Sequence, residues 1–290
     1  MRTSKGMHLI GLCLYLFPQL LVTNGTASAA SYYQWQDEFG YPHYGDTPTP
    51  AAREPKLIEL ITQPPLYRVE SVIDGDTIVV REGGKVRLLG INAPEVAHRD
   101  RAAEPLGDQA RQRLQQLLTG KRVYLEFDQQ RRDRYGRLLA HVKLEDGIEI
   151  NALLLREGLA RALFLQPNMR HLYDYYRAEG AAQGASLGIW SLPAFQPRPA
   201  SKAATCIKHF CRLYGKVRKV ERKQRYTYLQ LPAGLSVSIN NQYLPQFSAV
   251  GLEIDQLGGK SITVRGWVGE RDGKPHLRVE HPLQIEITGT

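Results

Sequence analysis

Apolar and β-branched residues between Tyr67 and Val80 flank the turn Asp74-Gly75-Asp76, which predicts two paired strands. Val86 to Ile91 predicts a third strand, reached through Arg81-Glu82-Gly83-Gly84-Lys85. The pattern then changes period. Leu106, Ala110, Leu114, Leu117 and Leu118 recur at the spacing of one helix face, and Gly120 follows their end. Val123 to Phe127 and Arg137 to Lys143 predict further strands. Asn151 is placed to cap a helix running to Gly158, and His171 to Gln183 predicts another before Leu187-Gly188-Ile189-Trp190. Strands come first and helices are interspersed late, so the class is α+β and not a doubly wound sheet.

Pro193 to Ala204 has the composition of a linker. Beyond it, Leu213 to Val220, Tyr226 to Leu231, Leu235 to Ile239, Ser261 to Val268 and Leu277 to Val279 read as short strands, with turns at Gly234, Gly258-Gly259 and Asp272-Gly273. Five short, evenly spaced strands predict a second, small all-β closed barrel of OB type. At the other end, Tyr32, Tyr33, Trp35, Tyr41 and Tyr44 surround Asp37-Glu38-Phe39-Gly40 and suggest a small hairpin. Pro48, Pro50, Pro55, Pro64 and Pro65 mark a linker after it.

Residues 1–29 have the layout of an export signal. Arg2 and Lys5 give a basic start, Leu9 to Val22 an apolar stretch, and Ala27-Ser28-Ala29 a small-x-small site. A short membrane anchor is the alternative. The expected organisation is therefore a signal over 1–29, an aromatic hairpin over 30–48, a linker over 49–65, a main domain over 66–192, a linker over 193–204 and a basic β domain over 205–290.

The 290 residues hold 42% hydrophobic and 23% charged residues, which excludes a disordered chain. A formal charge of +9 favours a polyanionic partner such as nucleic acid or anionic lipid. Removing residues 1–29 lowers that charge by two and takes away Cys13, leaving Cys206 and Cys211. In an oxidising compartment these form a disulfide; otherwise they are free thiols.

Chemistry concentrates in residues 74–137. Asp76, beside Asp74 and Thr77, and Asn92 offer hard oxygens that suit a divalent cation such as Ca2+, together with backbone carbonyls. Arg87 stands in an apolar strand and so requires a partner or a bound anion. Glu95 is suited to orient or deprotonate a water. Arg87 and Arg137 present planar forks matched to phosphate, the second within Asp133-Arg134-Tyr135-Gly136-Arg137. Phosphodiester hydrolysis builds negative charge on phosphoryl oxygens, where two guanidiniums and a cation are most effective.

Asp76-Thr77, Arg87 through Pro94-Glu95, and Tyr135-Gly136-Arg137 occur in the order and spacing of the staphylococcal nuclease (thermonuclease) family. The resemblance covers about residues 66–192. It implies an OB-type five-stranded β-barrel with three helices and Ca2+-dependent hydrolysis of single-stranded or denatured DNA and of RNA. It implies Asp76, Asn92 and the Ala93 carbonyl as metal ligands, with Asp74 and Thr77 beside them. Arg87 and Arg137 would bind phosphate, Glu95 would be the general base, and Arg134, Tyr135 and Phe164 would contact the nucleotide. Two positions depart from the family's reference member: Asn92 replaces an Asp, and Phe164 a Tyr. The missing charge at Asn92 predicts Ca2+ binding in the range of about 10⁻⁴–10⁻³ M.

Between Cys206 and Tyr226, eight Lys and Arg residues stand against the single acid Glu221, interleaved with Tyr214 and Tyr226, and Tyr228 follows. Single-strand binding, a solvated edge and attraction to anionic lipid each account for this pattern. The function expected is an exported nuclease of periplasm or medium. The alternative is a barrel that binds nucleic acid without cutting it, but the presence of Asp76, Arg87, Glu95 and Arg137 together favours the enzyme.

Overall fold

A computed structural model of the chain describes residues 32–36, 42–45, 53–58, 64–97 and 102–289. The expected export segment lies outside them. The chain divides into two units, Met1–Gln63 and Pro64–Thr290.

In the first unit, β1 (Tyr32–Gln36) pairs antiparallel with β2 (Pro42–Gly45) and with β3 (Arg53–Ile58). The proline density of residues 49–65 predicts a linker, yet β3 forms within it. The order β2-β1-β3 leaves β3 at an edge, where Pro55 removes no required ladder bond.

The second unit begins with β4 (Leu66–Asp74), β5 (Thr77–Val80), β6 (Gly84–Leu88) and the two-residue β7 (Ile91–Asn92). Then follow α1 (Gly107–Leu118), β8 (Arg122–Arg132), β9 (Leu138–Leu144), α2 (Ile150–Arg156), the two-residue β10 (Arg161–Ala162) and α3 (Leu172–Gly184). Strands β4-β5-β6-β9-β8 close into a barrel. Every neighbouring pair is antiparallel except β6 and β9, whose parallel register sets Arg87 against Leu139. The five strands and three helices agree with the α+β expectation.

Leu114 and Leu118 of α1 are fully buried in the barrel core with Ile78, Val86 and Leu154. Truncating either to Ala typically costs about 2–5 kcal/mol. Asn151 does not cap α2 as its position suggests. Glu149 does, accepting the Ala152 N–H, while Asn151 is buried inside the helix. Its amide accepts from Val142 N and donates to the Leu89 carbonyl, tying α2 to the barrel.

The remainder comprises β11 (Arg198–Pro199), β12 (His209–Lys216), β13 (Lys219–Arg222), β14 (Tyr226–Gln230), β15 (Ser236–Asn240), α4 (Leu244–Ser248), β16 (Ser261–Arg271), β17 (Lys274–Val279) and β18 (Ile285–Gly289). They build one eight-stranded sheet in the order β11-β12-β16-β17-β15-β14-β13, with β18 also on β16. The strand order joins these elements in one sheet and does not by itself establish the closed second barrel expected here. The strand expected over Leu213–Val220 breaks at Val217-Arg218, and its halves pair at opposite ends of the order, β12 with β16 and β13 with β14. Residues 193–204 are not a free linker either. Ala200 and Ala203 of a 3-10 turn are buried in the sheet's core, because small side chains let that turn pack flush. Cys206 and Cys211 are joined by a disulfide and buried. Among the described residues no helix is long and apolar enough to cross a membrane.

Candidate active site

Asp76 lies in the two-residue turn between β4 and β5, where its N–H donates to Asp74 Oδ1 at 3.0 Å. Gly75 makes this turn fit. A Cβ there would lie 2.6 Å from the Ala93 Cβ and 2.7 Å from the Ala110 Cβ. The close approach lets Asp76 Oδ2 accept the Ala93 N–H at 2.9 Å, while Thr77 Oγ1 donates to Oδ1 at 3.1 Å.

Arg87 is the β6 partner of Thr77, and the pairing brings its Nη2 to 2.8 Å from Asp76 Oδ2. The two side chains are only 13% and 9% exposed, so the pair is shielded from water. Arg87 Nη1 also donates to the carbonyls of Leu88 and Ile91, and Nη2 to Asn92 Oδ1 at 3.2 Å. Nε is the guanidinium donor with no partner among the described residues. Asn92 Nδ2 in turn donates to the Ala93 carbonyl at 3.1 Å.

Burial pushes the Asp76 carboxyl up to about 7, against the opposing pull of Arg87 and with the charge of Asp74 adding to the rise. The guanidinium pairs with Asp76, whose own N–H is bonded to the second carboxylate, Asp74. The donor set fits a hard divalent cation: the Asp76 carboxylate, Asn92 Oδ1 and the Ala93 carbonyl are all oxygens and lie along one chain of hydrogen bonds.

Glu95 follows on a pinned loop. Its N–H donates to Glu104 Oε2 and its carbonyl accepts the Glu104 N–H. Gly107 permits the start of α1 to touch this loop, since a Cβ there would lie 2.4 Å from the Glu95 carbonyl oxygen. The Glu95 carboxylate is half-buried and accepts no hydrogen bond among the described residues.

Arg137 comes from the loop between β8 and β9. Asp133 organises that loop, accepting from Tyr135 N, Arg137 N and, at 2.7 Å, Arg137 Nε. Tyr135 is 69% exposed, with the guanidiniums of Arg134 and Arg137 at 4.8 and 5.7 Å from its ring centre. Direct bonds therefore gather Asp74, Asp76, Thr77, Arg87, Asn92 and Ala93. Arg134, Tyr135 and Arg137 form a separate cationic and aromatic loop, ending two residues before Leu139, the register partner of Arg87.

Phe164 is not the open stacking surface that its position suggests. It is buried, stacked on His281 with ring centres 5.9 Å apart, and Arg265 lies 5.5 Å over its ring. The carboxy-terminal sheet covers it. Three further residues carry no local signal in the sequence. Arg161 pairs with Asn92 across β10 and β7 and sits 4.4 Å over the ring of Phe210. Glu179, fully buried, accepts the Ala162 N–H of β10 and forms a two-point ion pair with Arg265 of β16. Partners far apart along the chain leave no pattern that spacing could reveal.

A family described as staphylococcal nuclease homologue matches residues 85–192, and a domain of unknown function (DUF4124) matches residues 20–67. Thermonuclease of Staphylococcus hyicus is 42% identical over 129 residues, covering 43% of this chain and 75% of that protein. Endonuclease YncB of Bacillus subtilis is 33% identical over 180 residues, covering 58% of this chain and 78% of its own length. The SPbeta prophage-derived endonuclease YokF of the same species is 38% identical over 128 residues, 42% of this chain and 43% of that protein.

Proposed function

Because this chain belongs to the staphylococcal nuclease family, we propose that it is an exported, Ca2+-dependent nuclease hydrolysing phosphodiester bonds of single-stranded or denatured DNA and of RNA. One observation carries this reading: a buried carboxylate, Asp76, is bonded to the guanidinium of Arg87 and to the loop bearing Asn92, Ala93 and Glu95. Such an assembly has little use as a stabiliser, since desolvating charges offsets most of their attraction.

Asp76, Asn92 and the Ala93 carbonyl would hold Ca2+, whose charge, when bound, opposes the negative charge building on the phosphoryl oxygens. The chain's own groups supply the remainder. Glu95, with no hydrogen-bond donor on its carboxylate among the described residues, accepts a proton from the attacking water as that oxygen bonds to phosphorus and the bond to the leaving oxygen breaks. Arg87 Nε and the Arg137 guanidinium donate to the non-bridging oxygens, and Arg134 and Tyr135 present a face for the neighbouring nucleotide. The disulfide and the signal-like residues 1–29 support export to an oxidising compartment, periplasm or medium. The carboxy-terminal sheet is read as OB-like, because β12 and β13 are separated by only two residues and pair with opposite ends of one strand order.

The test is hydrolysis of single-stranded DNA by purified protein, with Ca2+ and with a chelator. Cleavage that stops with chelator supports the reading. Cleavage indifferent to chelator overturns the metal assignment, and no cleavage across salts and divalent metals leaves a nucleic-acid binder.

A further inference from the structure

The outer face of the carboxy-terminal sheet carries a second concentration of cations and aromatic rings, well removed in sequence from the catalytic residues. Strand register settles which side chains share it. Trp267 of β16 is opposite Phe210 of β12; Arg271 is opposite Lys274 on β17; Ser238 of β15 is opposite both Arg278 and Tyr228. Residues one step away along these strands, Val268, Leu277, Val237 and Leu229, are buried on the opposite face.

Tyr228 is the centre of this surface. Arg271 Nη1 donates to its hydroxyl at 3.0 Å, Lys223 Nζ lies 5.4 Å from its ring centre, and the Tyr226 ring is 6.3 Å away. A depression of about 290 Å³ opens beside it, lined by Lys223, Tyr228, Arg271, Lys274 and His276 among others. Within it His276 bonds Ser238 through Nε2, while its Nδ1 is buried with no partner among the described residues. Two acids border the surface: Glu221, bonded to Lys219, and Asp272 at the hairpin tip near Arg271. Trp267 is 53% exposed and continues the face toward Phe210, which packs on Arg161, the strand partner of Asn92.

The exposed ring of Trp267 and the half-buried rings of Tyr226 and Tyr228, flanked by guanidinium and ammonium groups, match a chain of unstacked bases with phosphates between them. A duplex hides its base faces from such rings. We propose that Trp267, Tyr228, Lys223, Arg271 and Lys274 form a non-catalytic site for single-stranded nucleic acid, which holds the strand whose other part lies in the nuclease barrel. The choice of partner rests on the nuclease reading; the site itself does not.

The experiment is fluorescence anisotropy of a labelled oligodeoxynucleotide of about 12 nucleotides with the full chain, in chelator so that no strand is cut. Tyr228→Ala and Trp267→Ala each weaken binding, by roughly five- to hundred-fold, and Tyr228→Phe restores it because the ring is what stacks. Lys223→Ala with Arg271→Ala reduces the slope of log affinity against log salt by about 1.4. Circular dichroism confirms that each variant is folded. Folded Tyr228→Ala and Trp267→Ala variants that bind like the parent chain overturn the proposal, even where Ca2+-dependent hydrolysis stands. Loss of binding to phosphatidylglycerol vesicles in the double Lys223/Arg271 variant, with oligonucleotide binding unaltered, overturns it in favour of a membrane surface. Strand binding that depends on these residues in a protein with no hydrolytic activity upholds the site and refutes the nuclease reading instead.

Discussion

Glu179 of α3 and Arg265 of β16 meet as a two-point ion pair with no exposure of the carboxylate, joining the nuclease barrel to the sheet that follows it. Glu179 also accepts the Ala162 N–H, so the pair holds β10 as well. Removing one member leaves the other charged and unpaired in the interior. Arg265→Ala is expected to cost about 3–5 kcal/mol, whereas replacing both by apolar residues of similar volume costs less. Urea unfolding of the single and double variants measures the difference; equal losses in both would show that the pair is not what the interior depends on.

Loss of a positioned guanidinium at the phosphate is expected to slow hydrolysis by roughly 10²–10³-fold. Arg87→Ala and Arg137→Ala should both show this in initial rates on single-stranded DNA at fixed Ca2+. The two differ in side effect. Arg87→Ala also leaves Asp76 buried without its cation, so it destabilises the fold, while Arg137 pairs with Asp133 and the Tyr135 ring on a surface loop. Parental rates in Arg137→Ala would remove that residue from the mechanism.

Asn92→Asp restores a negative charge among the proposed metal ligands. Ca2+ binding measured by calorimetry should tighten, from about 10⁻⁴–10⁻³ M in the parent, because affinity follows ligand charge. Unchanged affinity would mean that Asn92 is not a ligand.

Acid should weaken the fold in a defined window. Burial holds His141 and His281 neutral, with pKa values pushed down to about 4 from an ordinary 6.5. As pH falls through that range the unfolded chain takes up protons that the folded chain refuses, so stability is full above 6.5 and declines toward 4. For His141 the effect is on the order of 3 kcal/mol. Below this, Glu126 adds to the loss. Burial would raise its pKa, but Arg170, His171 and Lys143 outweigh it and hold it at about 2, so its contribution fades as pH drops from 4.5. Melting temperatures across this range give the slope, and His281→Phe should flatten it; an unaltered slope would assign the loss elsewhere.

The barrel was legible because its signals are local. Alternation through β4, β5 and β6, the stripe on α1, and the turn at Asp74-Gly75-Asp76 each lie within a few residues. Asp76, Arg87 and Asn92 could be grouped because their motifs resemble, in order and spacing, those of the staphylococcal nuclease family. Phe164 could not be placed correctly, since what covers it, His281, is more than a hundred residues away. The break at Val217-Arg218 was hidden for a related reason: both halves carry strand-forming residues, and only the partners they find differ. Proline suggested a linker where β3 runs because its cost depends on whether a strand lies at an edge, which is a property of the sheet.

Two residues, Arg161 and Ala162, are the whole of β10, and they touch Asn92 on one side and the territory of Phe210 and Arg265 on the other. A shortened protein ending after Trp190 would open an aromatic ring, a carboxylate and a guanidinium to solvent beside the strand partner of Asn92. Loss of the tail would be felt first at β10, whose Arg161 is the strand partner of Asn92.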